Sequence, residues 1–234
     1  MSVISENLQA VHASIAAAAL AVSRQPHEVL LLAVSKTFDA TVVLEAAAAG
    51  QRAFGENYLQ EALDKIAAVR SAQPELPLEW HFIGPIQSNK TRPIAESFDW
   101  VHSVEREKIA RRLSDQRPDD LPPLNICLQV NISGEASKSG VPAGEALAVA
   151  QAIAAMPRLC LRGLMAIPEP TTVVAEQRAA FRQLTTLFEQ CRAAGLPMDT
   201  LSMGMSSDLS SAIAEGATIV RVGSAIFGAR TYAH

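Results

Sequence analysis

A chain of 234 residues that is 49% hydrophobic and 19% charged carries enough apolar side chains for a sizeable core, which excludes disordered and fibrous classes. Its formal charge of -4 comes with no dense basic cluster, Arg111 and Arg112 being too few, so neither nucleic acid nor an anionic membrane has an electrostatic footprint here. Cys127, Cys160 and Cys191 are widely spaced and form no CxxC pair; that argues against a disulfide framework or a zinc site and makes a reducing cytoplasm the expected compartment.

At the amino terminus, Ile4, Leu8, Val11 and Ile15 recur at helical spacing, which predicts an amphipathic capping helix within residues 1–25. The alanine-rich run from Ile15 to Val22 is preceded by Glu6 rather than by positive charge. It is also too short to span a bilayer, so it does not read as a targeting segment. Next comes VLLLAVSK, from Val29 to Lys36, whose continuous apolar run fits a strand buried on both faces in a parallel sheet.

From there the chain alternates. Strand candidates lie at Val29 to Val34, Gln51 to Gly55, Leu78 to Ile83, Trp100 to Ser103, Leu124 to Asn131, Leu161 to Ile167, Thr200 to Met203 and Thr218 to Val222. Helix candidates lie between them at Asp39 to Ala49, Asn57 to Ser71, Lys90 to Ser97, Glu105 to Gln116, Ala143 to Ala155, Ala175 to Ala194 and Ser207 to Glu215. Asp39 is placed to cap the first of these helices and Gly50 to stop it, while Gly195 and Pro197 close the long one. Eight βα units in this length predict an α/β fold, a (β/α)8 TIM barrel forming a single domain over residues 1–234. An open doubly wound sheet is the competing architecture.

A barrel of this kind gathers its reacting groups at the carboxyl ends of the strands. The first strand places Lys36 there, as a reacting amine or as a lysine that snorkels to water. The second offers Gly55, Glu56 and Asn57 and the third His81 and Gly84, followed by Gln87, Asn89 and Lys90; the fifth and sixth offer Asn131, a loop with Lys138, and Met165. The last two strands lead into SMGMSSD and RVGSAIFG. In these loops Ser206 and Ser207 stand in a small-residue turn that opens a helix, Gly223 lets the backbone approach a ligand, and Ser224 adds a hydroxyl and an N-H. Either loop alone reads equally as turns and caps; together they suggest a phosphate cradle. Arg221, in an apolar strand, needs a salt bridge or a ligand atom. A ligand with a phosphate, a carbonyl for Lys36 and a basic ring atom satisfies all of these features, and pyridoxal 5'-phosphate (PLP) has all three.

The stretches AVSKTF at 33–38, FGENYLQEA at 54–62, HFIGPIQSNK at 81–90, QVNISGEASKSG at 129–140, GLMAI at 163–167, SMGMSSDLSSAIAEGAT at 203–218 and RVGSAIFGAR at 221–230 resemble the pyridoxal phosphate homeostasis proteins (YggS/PROSC type). The resemblance implies the amino-terminal barrel of alanine racemases, with PLP held as an internal aldimine on Lys36. It further implies phosphate contacts from Ser206, Gly223 and Ser224, Arg221 facing the pyridine nitrogen, and Asn57 near the ring hydroxyl. His81 and Asn89 match the family motif without an assigned role. An arginine only donates, so the ring nitrogen beside it must accept, which weakens the ring as an electron sink. Racemisation also needs a second base. Tyr58 and Tyr232 read better as packing or exposed residues, and Lys138 as a solvated loop lysine.

The expected function is therefore a non-catalytic PLP carrier, monomer or weak homodimer, that holds the cofactor and hands it to PLP-dependent apo-enzymes. A single-domain amino-acid racemase is the enzyme alternative, and a Schiff-base aldolase for phosphorylated sugars is the alternative without the cofactor.

Overall fold

The computed structural model describes residues 2–134 and 138–228. Its strands are β1 (Leu30–Val34), β2 (Ala53–Glu56), β3 (Glu79–Phe82), β4 (Trp100–Val104), β5 (Leu124–Asn131), β6 (Val141–Pro142), β7 (Leu159–Met165), β8 (Thr200–Ser202) and β9 (Ile219–Val222). Its α-helices are α1 (Val3–Leu20), α2 (Ala40–Ala48), α3 (Leu59–Ala72), α4 (Thr91–Ser97), α5 (Glu107–Gln116), α6 (Ala146–Ala154), α7 (Val174–Ala193), α8 (Leu209–Ala214) and α9 (Ser224–Phe227).

The strands pair in parallel in the order β4-β3-β2-β1-β9-β8-β7-β5, and β4 also pairs with β5. That last pairing closes an eight-stranded barrel and removes the open-sheet alternative. β6 is a two-residue addition to β5 at Val130 and Val141, too short to carry a pattern readable in the sequence.

Alternation along each strand divides the core in two. Leu32, Ala53, Trp100, Cys127, Met165 and Ile219 fill the barrel interior. Leu31, Ala33, Phe54, Phe82, Leu128 and Val220 belong to the larger layer under the helices. Residues of β1 and β9 that face inward therefore fall at every second position, and the next ones in the series, Lys36 and Gly223, arrive at the carboxyl mouth.

Local chemistry sets the helix ends. The Asp39 carboxylate accepts hydrogen bonds from the N-H groups of Thr41 and Val42, at 2.9 and 3.2 Å, capping α2. Gly195, at φ +91°, turns the chain after α7. α1 buries Leu8, Val11, Ile15 and Ala19 and packs across α8 and α9, where the Asn7 side-chain N-H donates to the Ile226 carbonyl at 2.9 Å.

Two expectations shift. The helix expected from Ser207 begins at Leu209, because residues 206–208 form a turn closed by the Met205 N-H donating to the Asp208 carboxylate at 2.6 Å. His81 is not at the carboxyl mouth. It lies within β3, fully buried and directed into the barrel, a direction that a strand buried on both faces does not reveal in its sequence.

Candidate functional site

A cavity of about 390 Å³ opens at the carboxyl ends of β1, β2, β8 and β9, within the roughly 300–1,000 Å³ of small-molecule sites. Lys36, Asn57, Ser206, Arg221, Gly223 and Ser224 all line it. Four apolar residues that the sequence reading passed over, Phe38, Ile83, Ile167 and Met205, form its walls. Ile167 and Met205 remain solvent-accessible despite their size, the kind of apolar exposure that a flat ligand ring would cover. Asn89 and Lys90 sit apart from this cavity, on an exposed turn where the Thr91 hydroxyl donates to the Ser88 carbonyl. Met165 fills the barrel interior. Lys138 lines a separate, polar cavity near Glu105, Tyr58 is 53% exposed, and Tyr232 lies outside the described residues.

Lys36 is half-buried and stands on a clamped segment. The Lys65 ammonium donates to the Ser35 carbonyl at 2.7 Å, and the Thr37 N-H donates to Glu61 at 2.6 Å. Lys65 also reaches Glu56 at 2.6 Å and Glu61 at 3.0 Å, and the Ser35 hydroxyl donates to Glu56 at 2.6 Å. Thr37 takes φ +70°, a left-handed conformation that a β-branched residue adopts only where its surroundings enforce it. The peptide groups on both sides of Lys36 are thus fixed by one ionic cluster between β1 and α3.

Arg221 is 5% exposed. Its guanidinium donates to the Ser202 hydroxyl at 2.8 Å and to the Ala166 carbonyl at 3.1 Å. Among the described residues no carboxylate sits at ion-pair distance from it. Burial lowers its pKa to about 10, against the attraction of the more distant Asp208, so it stays charged at neutral pH. A buried cation with two neutral acceptors retains donor capacity for a ligand atom.

The remaining walls have the same unfinished character. Asn57 Oδ1 is buried without a hydrogen-bond partner among the described residues, and its backbone is seated against Gly84, where an added Cβ would overlap the Asn57 carbonyl. At Gly223 a Cβ would approach the Val34 carbonyl to 3.0 Å, so the backbone there makes a close floor. The N-H groups of Ser206 and Ser207 have no hydrogen-bond partner among the described residues, and Ser224 is the first residue of α9, where N-H groups lack intrahelical partners.

The family model "Alanine racemase, N-terminal domain" matches residues 7–231. The pyridoxal phosphate homeostasis protein of Pseudomonas aeruginosa is 62% identical over 232 residues, covering 99% of this chain and 98% of that protein. The protein of the same name from Escherichia coli K12 is 52% identical, with 99% of each chain covered. This chain belongs to the pyridoxal phosphate homeostasis protein family. A solved relative, PipY of Synechococcus elongatus PCC7942 with PLP bound, superposes with a TM-score of 0.82 at 38% identity, covering 96% of this chain and all of that one. The residues present fit such a group: among the described residues, a buried amide oxygen without a partner, a cationic donor with no carboxylate at ion-pair distance, a close glycine floor and unpaired N-H groups meet beside a lysine.

Proposed function

We propose that the protein binds PLP through Lys36 and serves to hold and hand on the cofactor rather than to turn over a substrate. The carrying observation is the convergence of Lys36, Arg221 and the two phosphate-type loops on one cavity. When bound, the cofactor supplies an aldehyde carbon to which a neutral amine adds with loss of water. Lys36 would provide that amine, its direction set by the clamped backbone. Ser206, Gly223 and Ser224 would hold the phosphate, and the Asn57 amide would meet the ring hydroxyl. Arg221, able only to donate, would hold the ring nitrogen as an acceptor and so keep the ring a weak electron sink.

The lining supports carriage over catalysis. The described residues that line the cavity include no histidine, tyrosine, cysteine, aspartate or glutamate, the side chains from which a second acid-base group for the opposite face of a substrate carbon would come. The exposure of Ser206, Ser207 and Ser224 leaves the mouth open to an incoming amine from water or from an apo-enzyme.

The test is the near-visible spectrum of the protein with added PLP, followed by borohydride reduction and peptide mapping. A yellow species trapped on Lys36, and lost in Lys36→Ala while phosphate-dependent binding persists, is the expected result. A label on another lysine overturns the assignment of Lys36, and solvent-proton exchange at Cα of alanine or serine with turnover overturns the non-catalytic reading.

A further inference from the structure

The barrel axis holds a chain of polar side chains that runs from the cavity to the opposite mouth. Arg221 Nη1 lies 2.8 Å from Ser202 Oγ, Ser202 Oγ 2.7 Å from His102 Nδ1, and His102 Nε2 2.8 Å from His81 Nδ1. His81 Nε2 lies 3.3 Å from Glu79 Oε2, outside hydrogen-bond alignment but within a small rotation of a carboxylate that is 44% exposed. Glu79 also accepts from the Trp100 indole at 2.7 Å. The His81 ring stacks on Trp100 at 5.3 Å, and the Arg162 guanidinium lies over the Trp100 ring at 4.9 Å.

The two ends of this chain are chemically one-sided. Arg221 can only donate and the ionised Glu79 can only accept. Burial lowers the pKa of both histidines, that of His102 the more, where His81 and Arg221 add to the effect. Each neutral ring therefore carries one proton. Were His102 protonated at Nδ1, the Ser202 hydroxyl hydrogen would have no acceptor among the described residues, and the lone pair of His81 Nε2 would face the Glu79 carboxylate. With protons on both Nε2 atoms every link has one donor and one acceptor, all pointing away from Arg221.

We propose that Ser202, His102, His81 and Glu79 are positioning residues that hold Arg221 as a fixed donor toward the cofactor cavity through a one-way hydrogen-bond chain. The chain ties the hydroxyl that accepts from Arg221 to a carboxylate at the opposite mouth, while the attraction on the guanidinium itself comes from the more distant Asp208. The positioning role rests on the PLP reading above; the direction of the chain does not.

The first test is therefore made without cofactor, on the full chain labelled with nitrogen-15 at histidine. His81 and His102 are expected as Nε2-H tautomers at pH 7. In Glu79→Met, which removes an acceptor at a half-buried site, His81 is expected to lose its single tautomer. An Nδ1-H tautomer at either ring in the wild type, or no change at His81 in Glu79→Met, overturns the proposal. The second test measures PLP retention in Ser202→Ala against Ser211→Ala, another buried serine, which donates to Gln177. Loss of one hydrogen bond of about 0.5–1.5 kcal/mol corresponds to about two- to tenfold weaker retention for Ser202→Ala, with Ser211→Ala unchanged. Equal loss in both overturns the positioning role. A wild-type chain that binds no PLP overturns the functional reading, while the tautomers still decide the direction of the chain.

Discussion

Replacing Lys65 by methionine keeps the stem of the side chain and removes the ammonium that donates to the Glu56 carboxylate, which has no access to water, and also to Glu61 and the Ser35 carbonyl. The Glu56 side chain is 0% exposed and that of Lys65 2%. Breaking a buried pair from one side costs about 3–5 kcal/mol, because an unpaired charge remains. Glu56 moderates that cost by taking up a proton: burial already holds its carboxyl above the ordinary value despite Lys65, and its Oε2 has no hydrogen-bond partner among the described residues. A raised folded-state pKa favours the folded chain at low pH, and this advantage is lost as pH climbs from the ordinary value of 4.5 through the raised one. The difference between wild type and Lys65→Met is therefore largest at pH 8 and smaller at pH 5. For a chain of this length about 1 kcal/mol moves the midpoint by about 2–4 °C, so the cofactor-free variant should melt roughly 6–20 °C lower at pH 8. Glu56→Gln added to Lys65→Met should recover part of the loss. A drop below about 1 kcal/mol at pH 8, or equal drops at both pH values, would refute the reasoning by showing that Glu56 reaches water.

Gly84→Ala forces a methyl group onto the Asn57 carbonyl; a loss of about 1–3 kcal/mol by urea titration is expected, with weaker PLP binding by spectral titration. Glu215 is held below the usual carboxylate range by hydrogen bonds from Arg182 and Arg178, the former the larger influence. Glu215→Gln should destabilise by about 1 kcal/mol near pH 7. Because a lowered pKa stabilises above the unfolded value and is lost as pH falls through the folded one, this difference should vanish in acid, as melting curves at pH 7 and pH 3 would show. In thiol titration Cys160, which is exposed, should react first. Cys127, buried and with its pKa raised to about 12, should react only on unfolding.

Much of the architecture was legible because parallel strands announce themselves. β5 was expected over the same residues that form it, Leu124–Asn131, since a long apolar run leaves little freedom at its ends. Lys36, Arg221 and the two small-residue loops were legible because each breaks the pattern of its strand in a way that demands a partner. The direction of His81 was not, since a strand buried on both faces carries no polar alternation to separate inside from outside. Ser202, Glu79 and Lys65 escaped for a related reason: a serine or a charged residue reads as surface until the fold brings its partner close. The serine turn before α8 imitated a helix start, and only the Asp208 carboxylate accepting from Met205 shows where the helix begins.

The pairing of β1 with β9, which sets Leu32 beside Arg221, has a consequence for the order of events during synthesis. The amine and the guanidinium of the cavity lie near opposite ends of the sequence, and they meet only in the last strand pairing that the ribosome makes available. Until β9 has emerged and docked, β1 presents an open edge and its lysine has no arginine opposite. A nascent chain therefore has no complete cradle to trap the cofactor. Contacts of such long range form slowly, so the capacity to bind should rise together with barrel closure, late and in a single step.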